Sequence, residues 1–505
     1  MTVANPQETV PEATIESDRS TISGQVRQAV FWRTGTQIIS QTISWTATLI
    51  VIRLLDPADY GLFAMAQVMM TFLDFLNGHG FASALIQSRD LAVKAIRQAL
   101  GITILLNCAM AAAQIAMAPA VAAYYGKPEV ADLLRLLAFV YVATPFIIVP
   151  EVILSRSLDF KKQAIVNLSA ACVGAAVSLG CALAGYGVWT LIYAPLALVF
   201  TRAVGLTLAA GLFVLPSFDF RGAGGIAKFG GALMASHMFW VIQTQSDVFI
   251  AGRIYSAFEI GLYAQALFLT QLVMTKFVPA INQVAFPAYA LMQDDPAALR
   301  WGFLGSVRLI TLATAPIFIG IAASAGPLIE VIFGAKWLSM APLMQLLAFA
   351  TPLMTIQILF APLHNALGRP DLSVKSAACG ALLFPAAFWV GAQSGIMGLA
   401  IAWLAAAPLL LAVTIALGRP LTGIGFREIA AAALPGIGCA LAMGAVVKGI
   451  DWLMAAQLAP VTNLALLVGL GALSYGALAW AFQRDTMVQL IGLLRRRKAD
   501  QAPAI

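Results

Sequence analysis

Charge is what this chain has least of. Only 10% of its 505 residues are charged, 61% are hydrophobic, and the mean hydropathy is +0.87. Soluble globular domains carry about a quarter charged residues. An ordinary water-soluble domain is therefore excluded, and the useful unit of length is the membrane span. Cysteine and histidine are scarce as well. Cys108, Cys172, Cys181, Cys379 and Cys439 lie in apolar stretches without CxxC spacing, and His79, His237 and His364 are scattered. These spacings argue against a metal centre and against disulfides. There is no GxxxxGK[ST] run, so direct ATP use through a P-loop is not expected, and no cofactor is. The first thirty residues are polar and acidic with no apolar h-region. No cleavable signal peptide is expected, and residues 1–30 read as a cytoplasmic tail.

What is abundant is apolar sequence in span-length runs. Crossing the hydrocarbon core takes about 20 residues. Fourteen runs qualify: 31–53, 61–87, 97–119, 132–154, 164–184, 188–214, 227–251, 260–290, 302–326, 341–366, 374–391, 396–417, 428–448 and 460–482. Every connection between them is short, so no separate aqueous domain is expected. Lys and Arg are distributed unevenly over the connections: twenty fall on the side that holds both termini and six on the other (Arg53, Lys127, Arg135, Arg253, Lys336 and Lys448). The positive-inside rule then puts both termini in the cytoplasm. The formal net charge of +7 thus has a topological cause and does not point to nucleic acid. The terminal RRRK reads as an anchor against anionic lipid.

A repeat underlies the runs. DYGLFAMA (59–66) returns as EIGLYAQA (259–266), and RLLAF (135–139) returns as QLLAF (345–349). Six spans precede the second copy, so both copies keep one membrane orientation, the parallel kind of repeat. The expected fold is an all-α integral membrane protein of about 14 helices. Its N-lobe is 31–214 (helices 1–6) and its C-lobe 227–417 (helices 7–12). Two C-terminal helices follow at 428–482, then a basic cytoplasmic tail, 483–505.

Several spans carry polar stripes. In helix 1, Arg33, Gln37, Ser40, Gln41 and Ser44 share one face of a 3.6-residue helix. Helix 8 carries Gln265, Lys276 and Gln283 on one face, helix 2 carries Asp74, and helix 7 carries Gln243 and Asp247. A charge at bilayer depth costs about 3 kcal/mol on insertion scales, so such residues usually face a cavity. Arg33, close to the interface, has snorkelling as its alternative, and the same holds for Arg202 and Arg308. Helices 1, 2, 7 and 8 are the polar ones, which predicts a central cavity between the lobes. Asp74 and Asp247 are the candidate sites for coupling H+ or Na+. Ion pairing to Lys276 or Arg33 serves equally well for either carboxylate.

The FWRxGxQ start, RLLDPADYGLFAMA and the echo GRIYSAFEIGLYAQA resemble the polysaccharide-exporting branch of the multidrug/oligosaccharidyl-lipid/polysaccharide (MOP) exporter superfamily, nearest the WzxC-like group of Wzx-type flippases. The resemblance implies a MATE-like fold and no enzymatic activity. It implies translocation of undecaprenyl-diphosphate-linked oligosaccharide across the bacterial inner membrane, with a polysaccharide polymerase and chain-length regulator as neighbours. On that reading Arg33, Gln37, Gln41, Ser44, Gln243, Gln265, Lys276 and Gln283 line the substrate cavity, with Lys276 against the diphosphate. The gap between helices 1 and 8 would admit the lipid tail.

Two rival readings fit the residues less well. A MATE-like drug or cation antiporter would want an acidic or aromatic pocket, whereas Arg33 and Lys276 suit an anion. A membrane glycosyltransferase or polymerase would place acids such as Asp56 and Asp59 in a large external loop, but here that loop is about seven residues and holds Pro57. Asp59 reads better as a carboxylate at the positive end of helix 2.

Overall fold

The computed structural model describes residues 12–74, 93–157, 159–211, 215–218, 224–454, 457–488 and 492. Every regular element among them is helical, as a bilayer demands of a chain that must satisfy its own backbone. Eleven helical segments are long and apolar enough to cross a membrane. They match the expected spans from 97–119 onward, apart from 227–251. The other three fall on helices Glu12–Leu54, Pro57–Asp74 and Gly224–Ile254. The first of these is diluted by its own polar stripe, and the other two border undescribed residues. The chain divides into two compact units.

The first unit comprises residues 1–54, 73–119 and 131–232. Helix Glu12–Leu54 lies along Phe160–Leu183, which in turn packs on Thr190–Ala210. The expected span 132–154 falls within one continuous candidate span, Glu129–Arg156. Helices Glu129–Leu137, Phe139–Ala143 and Pro145–Arg156 follow one another, and the single residues between them, Ala138 and Thr144, keep right-handed helical backbone angles, so one span results. Gln114 reaches across from helix Val93–Tyr125 and donates to the Leu134 carbonyl at 2.7 Å. Asp159 caps helix Phe160–Leu183 by accepting from the Lys162 amide. The Lys162 side chain, 2.8 Å away, holds the Asp159 carboxyl below its ordinary range.

The second unit comprises residues 55–72, 120–130 and 233–505. Its interior is aromatic. Phe303 meets Phe360 edge-on at 4.9 Å, and Phe384, Phe388 and Trp403 form a tilted trio. Helices Phe426–Met454 and Pro460–Phe482 attach to Pro296–Ala323 through Ala315, Ile319, Ala440, Met443 and Leu467, and Arg300 pairs with Glu428.

Lys127, Arg253, Lys336 and Lys448, four of the six minority-side cations, belong to this unit. Lys336 pairs with Asp56 at 3.2 Å, and Arg253 stacks over Tyr124 at 5.1 Å. Arg53 and Lys127 flank the same connections. Tyr60 packs edge-on against Trp337 beside them. The two copies of the repeated motif begin at these connections. The acid in each copy caps its own helix: Asp59 accepts from the Asp56 amide at 3.0 Å, and Glu259 completes a capping box with Ser256. The glycine in each copy serves the contact. A Cβ on Gly61 would overlap the Ala257 carbonyl, and one on Gly261 would overlap the Pro57 carbonyl. The two copies therefore meet backbone to backbone.

Candidate functional site

The helix 1 stripe has a clear destination. Thr36, Gln37, Ser40, Gln41 and Ser44 form one wall of a 370 Å³ pocket inside the first unit. The opposite walls come from helix Pro145–Arg156, through Glu151 and Ser155, and from Phe160–Leu183, through Gln163 and Asn167. Arg202, on helix Thr190–Ala210, closes the set. Its guanidinium lies 3.6 Å from the Glu151 carboxylate. Gln163 donates to the Glu151 carbonyl at 3.0 Å and to the Ser155 hydroxyl at 2.9 Å, which locks that wall.

Within the first unit, the side chains that line a pocket with the stripe come from helices Pro145–Arg156, Phe160–Leu183 and Thr190–Ala210. Helical periodicity says which residues share a face and is silent on which helix that face meets. Arg202, with snorkelling as its alternative, lies beside the Glu151 carboxylate. Sequence reasoning passes over Glu151, Gln163 and Asn167. The available signal is Glu151, a carboxylate inside the apolar run 132–154.

The second unit has a 560 Å³ pocket of different character. Its walls are largely apolar, with Met274, Met354, Ile358 and Phe360, and polar groups are set into them. Gln243 is buried there, and Gly380 makes the room, since a Cβ at 380 would collide with the Gln243 carboxamide oxygen. Ser376 and Thr414 share a hydrogen bond of 2.6 Å, and His364 Nδ1 lies 3.3 Å from the Ser373 hydroxyl. Trp240 is half exposed at this pocket.

Asp247 is completely buried in helix Gly224–Ile254. It accepts from the Tyr263 hydroxyl at 2.8 Å and from the Val248 amide at 2.7 Å. Trp403 Nε1 donates to the Tyr263 oxygen at 2.7 Å. An indole N–H only donates, so it leaves the tyrosine proton to the carboxylate. Among the described residues, the side-chain contacts of Asp247 run to Tyr263 and, through it, to Trp403. Gln265 lies half-buried on helix Ala257–Leu291. The side chains of Arg33, Asp74, Lys276 and Gln283 lie outside the described residues.

Comparison with known proteins places this geometry. The profile described as polysaccharide biosynthesis protein matches residues 50–342. The succinoglycan biosynthesis transport protein ExoT of Rhizobium meliloti is 25% identical over 96% of this chain and 98% of its own length. The lipopolysaccharide biosynthesis protein WzxC of Escherichia coli is 23% identical over 79% of this chain and 84% of its own. Among solved structures, the lipid II flippase MurJ in its inward closed conformation superimposes with a TM-score of 0.69 at 13% identity, covering 89% of this chain and 99% of that one. An inward-facing MATE family transporter of the MOP superfamily gives 0.57 at 17% identity, covering 78% and 95%. The fold is the one these two solved structures share.

Proposed function

The chain belongs to the polysaccharide biosynthesis protein family, and on that premise we propose that it is a flippase. It carries undecaprenyl-diphosphate-linked oligosaccharide repeat units across the bacterial inner membrane for exopolysaccharide, capsule or O-antigen synthesis. The observation that carries this reading is the joint at Gly61 and Gly261, where two copies of one motif meet through bare backbone. Such a contact separates by losing van der Waals contact alone. A transporter that alternates access needs such a joint at the shut end of its path. The relative named as a transport protein and the neighbour named as a lipid II flippase support the same reading.

The finer parts of the proposal follow. Both termini face the cytoplasm, because the cations around the joint are the minority set. The lobes 31–214 and 227–417 alternate access, with 428–482 appended. Arg33 and Lys276 meet the diphosphate. Asp247 is the leading site for H+ or Na+ coupling, with Asp74 the second, since burial makes the charge of a carboxylate depend on what it binds. A polysaccharide polymerase and chain-length regulator receive the product.

A MATE-like antiporter of cationic drugs is the second reading, favoured by the shared fold. It fits poorly with an arginine matching the one carboxylate among the described residues that line the first unit's pocket. The test is complementation of a bacterium lacking its own exporter. Restored polymer, with loss of lipid-linked repeat units from the inner leaflet, is the expected result. Ethidium efflux without polymer would overturn the proposal in favour of the antiporter.

A further inference from the structure

The first unit's pocket holds polar atoms that the protein itself leaves unused. Ser40 Oγ, Asn167 Oδ1 and Arg202 Nε are all buried without a hydrogen-bond partner, and all three residues line the same 370 Å³ space. Buried polar atoms are paired in the great majority of cases, and each exception calls for an explanation. Three around one pocket point to something that occupies it.

The chemistry of the walls narrows the occupant. One carboxylate, Glu151, is matched by one guanidinium, Arg202, so the described lining carries no net charge. A phosphate would want an excess of cations, which Glu151 opposes. A metal ion or cationic drug would want an excess of anions, which Arg202 opposes. The remaining lining is amide and hydroxyl, from Gln37, Gln41, Ser44 and Asn167, groups that donate and accept at once. At 3.6 Å the Glu151–Arg202 pair is longer than a close charge-assisted hydrogen bond of about 2.7–2.9 Å, so both ions keep capacity for a ligand. Phe160 and Leu198 add an apolar surface at the same pocket. A neutral ligand with many hydroxyls and one C–H face satisfies all of these walls. The volume lies within the range of about 300–1,000 Å³ usual for small-molecule sites.

We propose that this pocket is a saccharide subsite: it takes one uncharged sugar ring of the head group, with Ser40, Asn167 and Arg202 as its unsaturated contacts and Glu151 as an acceptor. The proposal rests on the flippase reading and assigns the sugar contacts to side chains other than Arg33 and Lys276. It also has a signature that a structural role lacks. Ser40 Oγ and Asn167 Oδ1 have no partner to lose, so removing them leaves no orphan behind and is neutral or stabilising for the empty protein. Their loss should be felt only when the sugar is present.

The experiment compares wild type, Ser40→Ala, Asn167→Leu and the charge-neutral double variant Glu151→Gln/Arg202→Gln in nanodiscs. Two probes are used, undecaprenyl diphosphate and undecaprenyl-diphosphate-linked galactose. Wild type is expected to prefer the galactose-bearing lipid by about tenfold, the equivalent of one or two good hydrogen bonds. Ser40→Ala and Asn167→Leu should keep their melting temperature and their affinity for the bare lipid while losing most of that preference. If wild type binds both lipids equally, or the variants keep the preference, the subsite proposal fails and the flippase reading stands. If wild type binds neither lipid, the flippase reading fails and the subsite with it. Should the double variant lose affinity for bare undecaprenyl diphosphate, the pocket is an anion site and the sugar assignment is overturned.

Discussion

Gly61 and Gly261 stand in the same place in two copies of one motif, and the Cβ that either lacks would fall 3.0 Å from the other's amide nitrogen. A repeat visible in sequence thus closes on itself in space. The features its copies share divide the labour: the acid caps the helix, and the glycine admits the partner's backbone.

Gly61→Ala and Gly261→Ala should each prevent that approach. Overpacking of this kind typically costs about 1–3 kcal/mol, and here the clash is with carbonyls that cannot rotate away. Each variant is expected to lower the melting temperature and to raise maleimide labelling of a cysteine placed at Tyr60 in a cysteine-free background. Because either one already parts the joint, the double variant should be far less than additive. Asp59→Asn should matter little by comparison, since a helix-end charge is worth about 0.3–1 kcal/mol. Equal labelling in wild type and the alanine variants would sink the idea.

Tyr263→Phe removes the hydroxyl that lies between Asp247 and Trp403. It leaves Asp247 one donor short and Trp403 Nε1 without its acceptor, at a cost of about 1–3 kcal/mol for each buried group left unsatisfied. Asp247→Asn instead keeps an acceptor oxygen and gives up the titrating charge. Its melting temperature should match wild type, while export in proteoliposomes should lose its response to an imposed H+ or Na+ gradient. An unchanged response would remove Asp247 from the coupling scheme.

Gly380→Ala should reproduce Gln243→Ala without touching the carboxamide, because the added methyl takes the space that Gln243 fills. The two single variants should show the same fall in export, and the double variant no further fall. Normal export in Gly380→Ala alongside impaired export in Gln243→Ala would show that the pocket adapts.

Lys276→Ala and Arg33→Ala should each cut polymer output at normal membrane abundance. Restoring charge with Lys276→Arg and Arg33→Lys separates a need for charge from a need for shape. If output holds in both alanine variants, the diphosphate contact lies elsewhere.

The length and spacing of apolar runs, the Lys and Arg bias and the two copies of the motif are legible in the amino-acid sequence. They follow from local rules: a helix needs about 20 residues to cross, and a helical face recurs every 3.6. Those rules also find the stripe of Gln37, Ser40, Gln41 and Ser44. They cannot say that its neighbours are Glu151, Gln163, Asn167 and Arg202, more than a hundred residues away.

Sequence alone therefore determined that this is an all-helical membrane protein with polar faces built into a repeated frame. Tertiary structure decided which faces meet. It set Arg202 beside Glu151, gave Asp247 the Tyr263 hydroxyl as a donor, and set Gly61 against Gly261. The physical reason is common to all three. In a chain this apolar most helix faces tolerate lipid, so pairing is selected by close packing and by the few polar groups that cannot be left unsatisfied.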